Sequence, residues 1–148
     1  MASGMMTLLT HPVFFSTAIS ALSVQFLKGI INALKTGNLS ASAFIVSGGM
    51  PSGHSALVSA LSASIFIHEG ASTAFILSLF FGIVVIYDAL ILRMTVSRHS
   101  DILSQAISKL KIKTPKHTIT GVNGHTPAQV IAGIILGIAI PLFLGYIL

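Results

Sequence analysis

The chain has 148 residues, enough for one domain, with 53% hydrophobic and only 7% charged residues. A soluble domain carries about 25% charge, so this sequence cannot clothe a water-facing surface. Eight Lys/Arg against three Asp/Glu give a formal charge of +5. With so few charges and such long apolar runs, that excess points to anionic lipid or phosphate and away from nucleic acid.

No charged residue occurs from Met1 to Leu27. There is no basic leader and no cleavage site, so the apolar run from Val13 is expected to be a retained helix. Extended to about residue 31, it can span a hydrocarbon core of about 30 Å, which takes about 20 helical residues. Lys28 is expected near its end, snorkelling to the interface. Residues 32–47 are mixed, and Ala41–Val46 reads as a short re-entrant or interfacial segment. Such a segment must lie against protein, because lipid cannot satisfy its backbone ends.

Gly48-Gly49-Met50-Pro51-Ser52-Gly53-His54-Ser55 then leads into an uncharged run. Pro51 is expected to open the second helix, with Ser52 as a cap. That helix runs to about Ile67 and is rich in Ser and Ala, the residues that let membrane helices approach closely. His68-Glu69-Gly70 reads as a turn. A third helix is expected from about Ser72 to Leu92, strongly apolar except for Tyr87-Asp88. Asp88 is costly at that depth without a partner, and Arg93 follows five residues later.

Residues 94–124 form the one long polar stretch. Ile102, Leu103, Ala106, Ile107 and Leu110 recur at helical spacing, which predicts an amphipathic surface helix. Lys111, Lys113 and Lys116 add positive charge after it. Gly124-His125-Thr126-Pro127 repeats the glycine-histidine pattern before a last apolar helix, about Pro127 to Leu148. Gly133 and Gly137 give that helix a small-residue face for close packing or self-association, and Pro141 is expected to kink it.

The expected fold is all-α, a single polytopic membrane domain over residues 1–148. It has about four transmembrane helices, a short re-entrant or interfacial segment and an amphipathic loop helix. Alternating spans bring Lys28, His54, Asp88, Arg93 and His125 to one side of the membrane. All eight Lys/Arg fall on that side, which by the positive-inside rule is cytoplasmic. Both termini are then expected outside, in the inner (plasma) membrane of the cell.

Two histidines, an acid and several cations suit phosphoryl transfer. One imidazole can attack phosphorus, and the other can protonate the leaving oxygen. Cations and backbone N–H groups at a helix start can hold the phosphate oxygens. No metal or other cofactor is demanded. Two histidines and one acid could hold zinc, though the nearby cations would repel it. A Ser-His-Asp set of Ser52 or Ser55 with His125 and Asp88 ranks lower, because the glycine-serine elbow is absent.

Taken together, residues 48–55, Tyr87-Asp88-Ala89 and Gly124–Pro127 resemble the motifs of the type 2 phosphatidic acid phosphatase (PAP2) superfamily, which includes vanadium-dependent haloperoxidases. The likeness is to its small divergent branch and covers nearly the whole chain. It implies His125 as the phosphate-attacking nucleophile and His54 as general acid. Ser52 and the Gly53 backbone would bind phosphate, with Lys28, Lys35 and, less directly, Arg93. Gln129 stands where the superfamily has an aspartate, and the branch usually a glutamate, to orient the nucleophile. A neutral amide can hold a tautomer but stabilises an imidazolium less, and Asp88 is the available substitute. Met94 replaces a second arginine.

The resulting expectation is a metal-independent phosphatase acting on a lipid or isoprenoid phosphate through a phospho-histidine. Its partners are that substrate and anionic lipids. Two alternatives stand beside it: a weak or inactive homologue that binds anionic headgroups, and a small oligomeric transporter.

Overall fold

The structure is a computed structural model, in which residues 7, 10–37, 49–111 and 125–147 are described. Helix α1 spans Pro12–Thr36, α2 Gly53–Glu69, α3 Thr73–Tyr87, α4 Arg93–Leu110 and α5 Pro127–Ile147. A single π-helical turn, Asp88–Leu92, joins α3 to α4 without a break. The described residues therefore form four helical rods, with no strand among them.

Three rods are long and apolar enough to cross a membrane: Pro12–Thr36, Thr73–Leu110 and Pro127–Ile147. The fourth, α2, has 17 residues, or about 25 Å at 1.5 Å per residue. It lies at the centre and packs against α5, α1 and α3, most extensively against α5.

Burial is inverted relative to a water-soluble protein. Ala56, Ala60, Ser20, Ser55 and Ser64 are fully buried, while Leu77, Phe80, Phe81 and Val84 on α3 are 58–66% exposed. Large apolar side chains facing outward fit a lipid surroundings, where contacts between helices depend on close packing. Gly133 of α5 faces Ser52 and Ser55, and Gly137 faces Ala56. A Cβ at either glycine would collide with α2 backbone. The small-residue face of α5 is thus consumed inside the chain, so self-association would need another surface.

Hydroxyls join α1 to α2. The Ser16 hydroxyl lies 2.8 Å from Ser64 Oγ, and that of Thr17 lies 3.3 Å from it. Such interhelical bonds contribute about 0.6 kcal/mol each in a membrane.

Several expectations are corrected. Helix α1 continues to Thr36, so Lys28 lies two turns inside it and is 7% exposed, turned into the protein instead of snorkelling outward. Pro51 precedes the cap, and the helix opens at Gly53 with Ser52 as N-cap. The amphipathic stretch is no separate surface helix. It continues the third rod, because residues 88–96 hold no Gly or Pro to end it and the π turn absorbs the extra residue. The expected interfacial segment at 41–46, and Lys113 and Lys116, lie outside the described residues.

Candidate functional site

The site forms where the start of α2, the start of α5 and the π turn meet. Its spine is a pair of helix caps. Ser52 Oγ accepts from the Ser55 N–H and the Ser55 hydroxyl, at 3.4 and 3.0 Å. The Ser52 N–H donates to the Gln129 carbonyl at 2.9 Å, stitching α2 to α5. At the start of α5, the Thr126 N–H donates to Gln129 Oε1 at 3.0 Å and the Gln129 N–H to Thr126 Oγ1 at 3.4 Å. This is a capping box. Its signal in the sequence is the Thr-x-x-Gln spacing of Thr126 and Gln129. The carboxamide is engaged by the cap and not by His125.

These caps fix the two histidines that flank them. The rings of His54 and His125 are 6.3 Å apart, centroid to centroid, and nearly perpendicular at 85°. His54 is exposed. His125 is 2% exposed, and among the described residues neither of its ring nitrogens has a hydrogen-bond partner. Buried polar atoms nearly always find partners, so two such nitrogens on one ring make His125 a candidate ligand-binding position. Burial lowers the His125 pKa below the ordinary imidazole value, and Lys28, His54 and Arg93 push the same way. These effects favour the neutral ring, the form in which an imidazole can act as a nucleophile.

The π turn brings in the acid and the arginine. Residues five apart diverge around an α-helix, but a wider turn carries Asp88 and Arg93 to one face. Arg93 Nε donates to Asp88 Oδ2 at 3.1 Å, and Arg93 Nη2 lies 3.3 Å from His54 Nε2. An arginine can only donate, so His54 Nε2 accepts here and the ring proton sits on Nδ1. Asp88 thus holds Arg93 instead of reaching His125.

Lys28 approaches from α1. Its Cε lies 3.7 Å from where a Cβ of Gly49 would stand. Gly49 has φ +86°, a conformation that favours glycine. Gln25, one turn before Lys28, has its Oε1 3.8 Å from the corresponding point at Gly53. Its i, i+3 spacing from Lys28 was the sequence signal for it. Lys35 is exposed in the last turn of α1, about 10 Å farther along the axis than Lys28. On the other side of His125, a cavity of about 110 Å³ is lined by Met94, Ser97, Arg98, His125 and Thr126. Ser97 and Arg98 lie one helical turn past Met94 on α4, a spacing that puts all three on one face. Among the described residues, no three His, Cys, Asp or Glu side chains gather as a metal-ligand set.

The profile of the divergent PAP2 family matches residues 9–140. The chain is also 30% identical over 159 residues to the uncharacterized membrane protein YuiD of Bacillus subtilis (strain 168), covering 95% of this chain and 98% of that one. No solved structure matches it. The motifs that converge on the two histidines all fall within the matched span, and the chain belongs to the divergent PAP2 family.

Proposed function

We propose that the protein is a metal-independent phosphatase that removes phosphate from a lipid or isoprenoid phosphate at the cytoplasmic face of the inner membrane. The observation that carries this reading is the ring pair: an exposed His54 facing a buried, neutral His125 whose nitrogens are unpartnered. A reacting group needs to sit about 3 Å from each catalytic atom, and with centroids 6.3 Å apart the two imidazoles are near enough to engage one phosphoryl group.

In this mechanism, the phosphate enters between the rings and draws Arg93 away from His54. Lys28, Arg93 and the backbone at Gly53 hold its oxygens, where negative charge builds. His125 attacks phosphorus. His54, relieved of Arg93, first takes up a proton at Nε2 from the incoming phosphate monoanion; the P–O bond to the lipid then breaks, and the His54 imidazolium gives that proton to the departing alcohol oxygen. Water then attacks the phospho-histidine, with His54 taking its proton, and inorganic phosphate leaves. Asp88 and Gln129 are positioning residues: Asp88 aims Arg93, and Gln129 fixes the helix start that carries His125. Ser52 acts through its cap and the stitch between α2 and α5, and Lys35 attracts anionic headgroups from the rim.

A second reading has an observation of its own. Among the described residues no side chain orients His125, and the Gln129 Oε1 is taken by the cap. A homologue that binds phosphate headgroups with little turnover would have this arrangement.

The test is phosphate release by purified protein on a panel of lipid and prenyl phosphates. Wild type is expected to release phosphate, and His125→Ala to lose about a thousandfold or more. Equal release by both would overturn the nucleophile assignment. Headgroup binding without release by the wild type would favour the second reading.

A further inference from the structure

Outside the histidine site, an open-sided groove of about 500 Å³ lies between α2, α3 and α5. Helices α3 and α5 both pack on α2, and the wedge between them stays open. Val58, Ala63 and Phe66 of α2, Phe75 and Ile86 of α3, and Leu142 of α5 are among its walls. No wall residue is charged, and the polar side chains are two serine hydroxyls.

The groove begins within one helical turn of the candidate site. Val58 lies one turn below His54 on α2, and Ile86 lies two residues before Asp88. From Val58 to Phe66 the groove runs about 12 Å along the α2 axis, close to the hydrocarbon depth of one leaflet, about 15 Å. At its far end the rings of Phe66 and Phe75 meet at 5.0 Å and close the space between α2 and α3. Cations gather at one end and an uncharged trough follows, which matches an amphiphile with an anionic head and one linear tail.

We infer that this groove seats the single hydrocarbon chain of the phosphorylated lipid, with the Phe66–Phe75 pair as its end stop. The inference rests on the phosphatase reading and names its substrate class: a phosphate monoester on one alkyl or prenyl chain. Moving a chain from lipid into the groove gains little hydrophobic energy, because lipid tails are already apolar. The groove therefore acts by orienting the chain and limiting its length.

Two measurements on the full-length protein in nanodiscs test this. In the first, hexadecyl phosphate carrying a photoactivatable group near its chain end is crosslinked and the labelled residues are mapped. In the second, kcat/KM is compared for octyl and hexadecyl phosphate. Ala63→Phe fills the trough, and Phe66→Ala opens its end. The expected label falls on the groove walls and drops about tenfold in Ala63→Phe. The hexadecyl-to-octyl ratio should fall by a similar factor in Ala63→Phe and rise in Phe66→Ala. Because Phe66 is half exposed, the second variant keeps the test alive if the first folds poorly.

Label spread evenly over the outer face of α3, including Leu77 and Phe80, would overturn the tail site. Label on a neighbouring copy of the chain would overturn it too. Groove labelling without phosphate release would uphold the tail site while the hydrolase reading fails. Release with no chain preference and no groove labelling would leave the hydrolase reading standing and remove the tail site.

Discussion

At the scale of single residues, the proposed chemistry turns on His125. It is buried and uncompensated, and positive charge surrounds it, so its neutral form is favoured. The sign follows for the pH profile. Protonation destroys the nucleophile, and a lowered pKa postpones protonation to more acidic solution. The acidic limb of kcat/KM, which reports the free enzyme, is therefore expected below the ordinary histidine value of about 6.5. Replacing Lys28 with Met should move that limb upward, because one of the charges that opposes the imidazolium is gone. An acidic limb at or above the ordinary value would show that His125 does not titrate as the attacking group. The residue types at this site were legible from the two glycine-flanked histidines. Their partners were not: Arg93 bridges Asp88 and His54 through a turn that no spacing rule anticipates, and Gln129 serves a helix cap.

Two elements carry the geometry. The π turn at Asp88–Leu92 keeps the third rod continuous while rotating Arg93 onto the face of Asp88. The contact of α2 with α5 sets the spacing of the histidines, since each helix starts at one of them. That contact depends on Gly133 and Gly137 lying against α2 backbone. Gly137→Ala is expected to force the helices apart and cost about 1–3 kcal/mol, read as a lower midpoint in thermal unfolding in detergent. An unchanged midpoint would mean that α5 does not seat on α2 this closely. Helix α4 stands differently, with no buried residue and with Ile102, Leu103 and Leu110 all more than half exposed. Its amphipathic spacing was readable from sequence, but its continuity with α3 was not, because hydropathy changes there while the backbone does not.

For the whole molecule, the outward-facing Leu, Phe and Val of α3 and the buried Ser and Ala of α2 define an integral membrane protein. Its orientation rests on charge, all eight Lys/Arg being assigned by sequence to the side of the histidines. The chain has no cysteine, so single cysteines report sidedness cleanly. In intact cells, Glu69→Cys is expected to react with an impermeant maleimide and Lys109→Cys to react only after lysis. The reverse pattern would invert the orientation and move the proposed activity to the outer face. Composition and periodicity determined the all-helical class, the three long apolar runs and the two histidine-bearing helix starts, because those depend on local hydropathy and on residues adjacent in the chain. The meeting of His54 with His125, the inward turn of Lys28, the Asp88–Arg93–His54 relay and the apolar trough were decided only by the tertiary structure. Each depends on how closely and at what rotation α2 packs against its neighbours, and in a membrane that is set by the fit of small side chains against backbone, which has no signature in any single stretch of sequence.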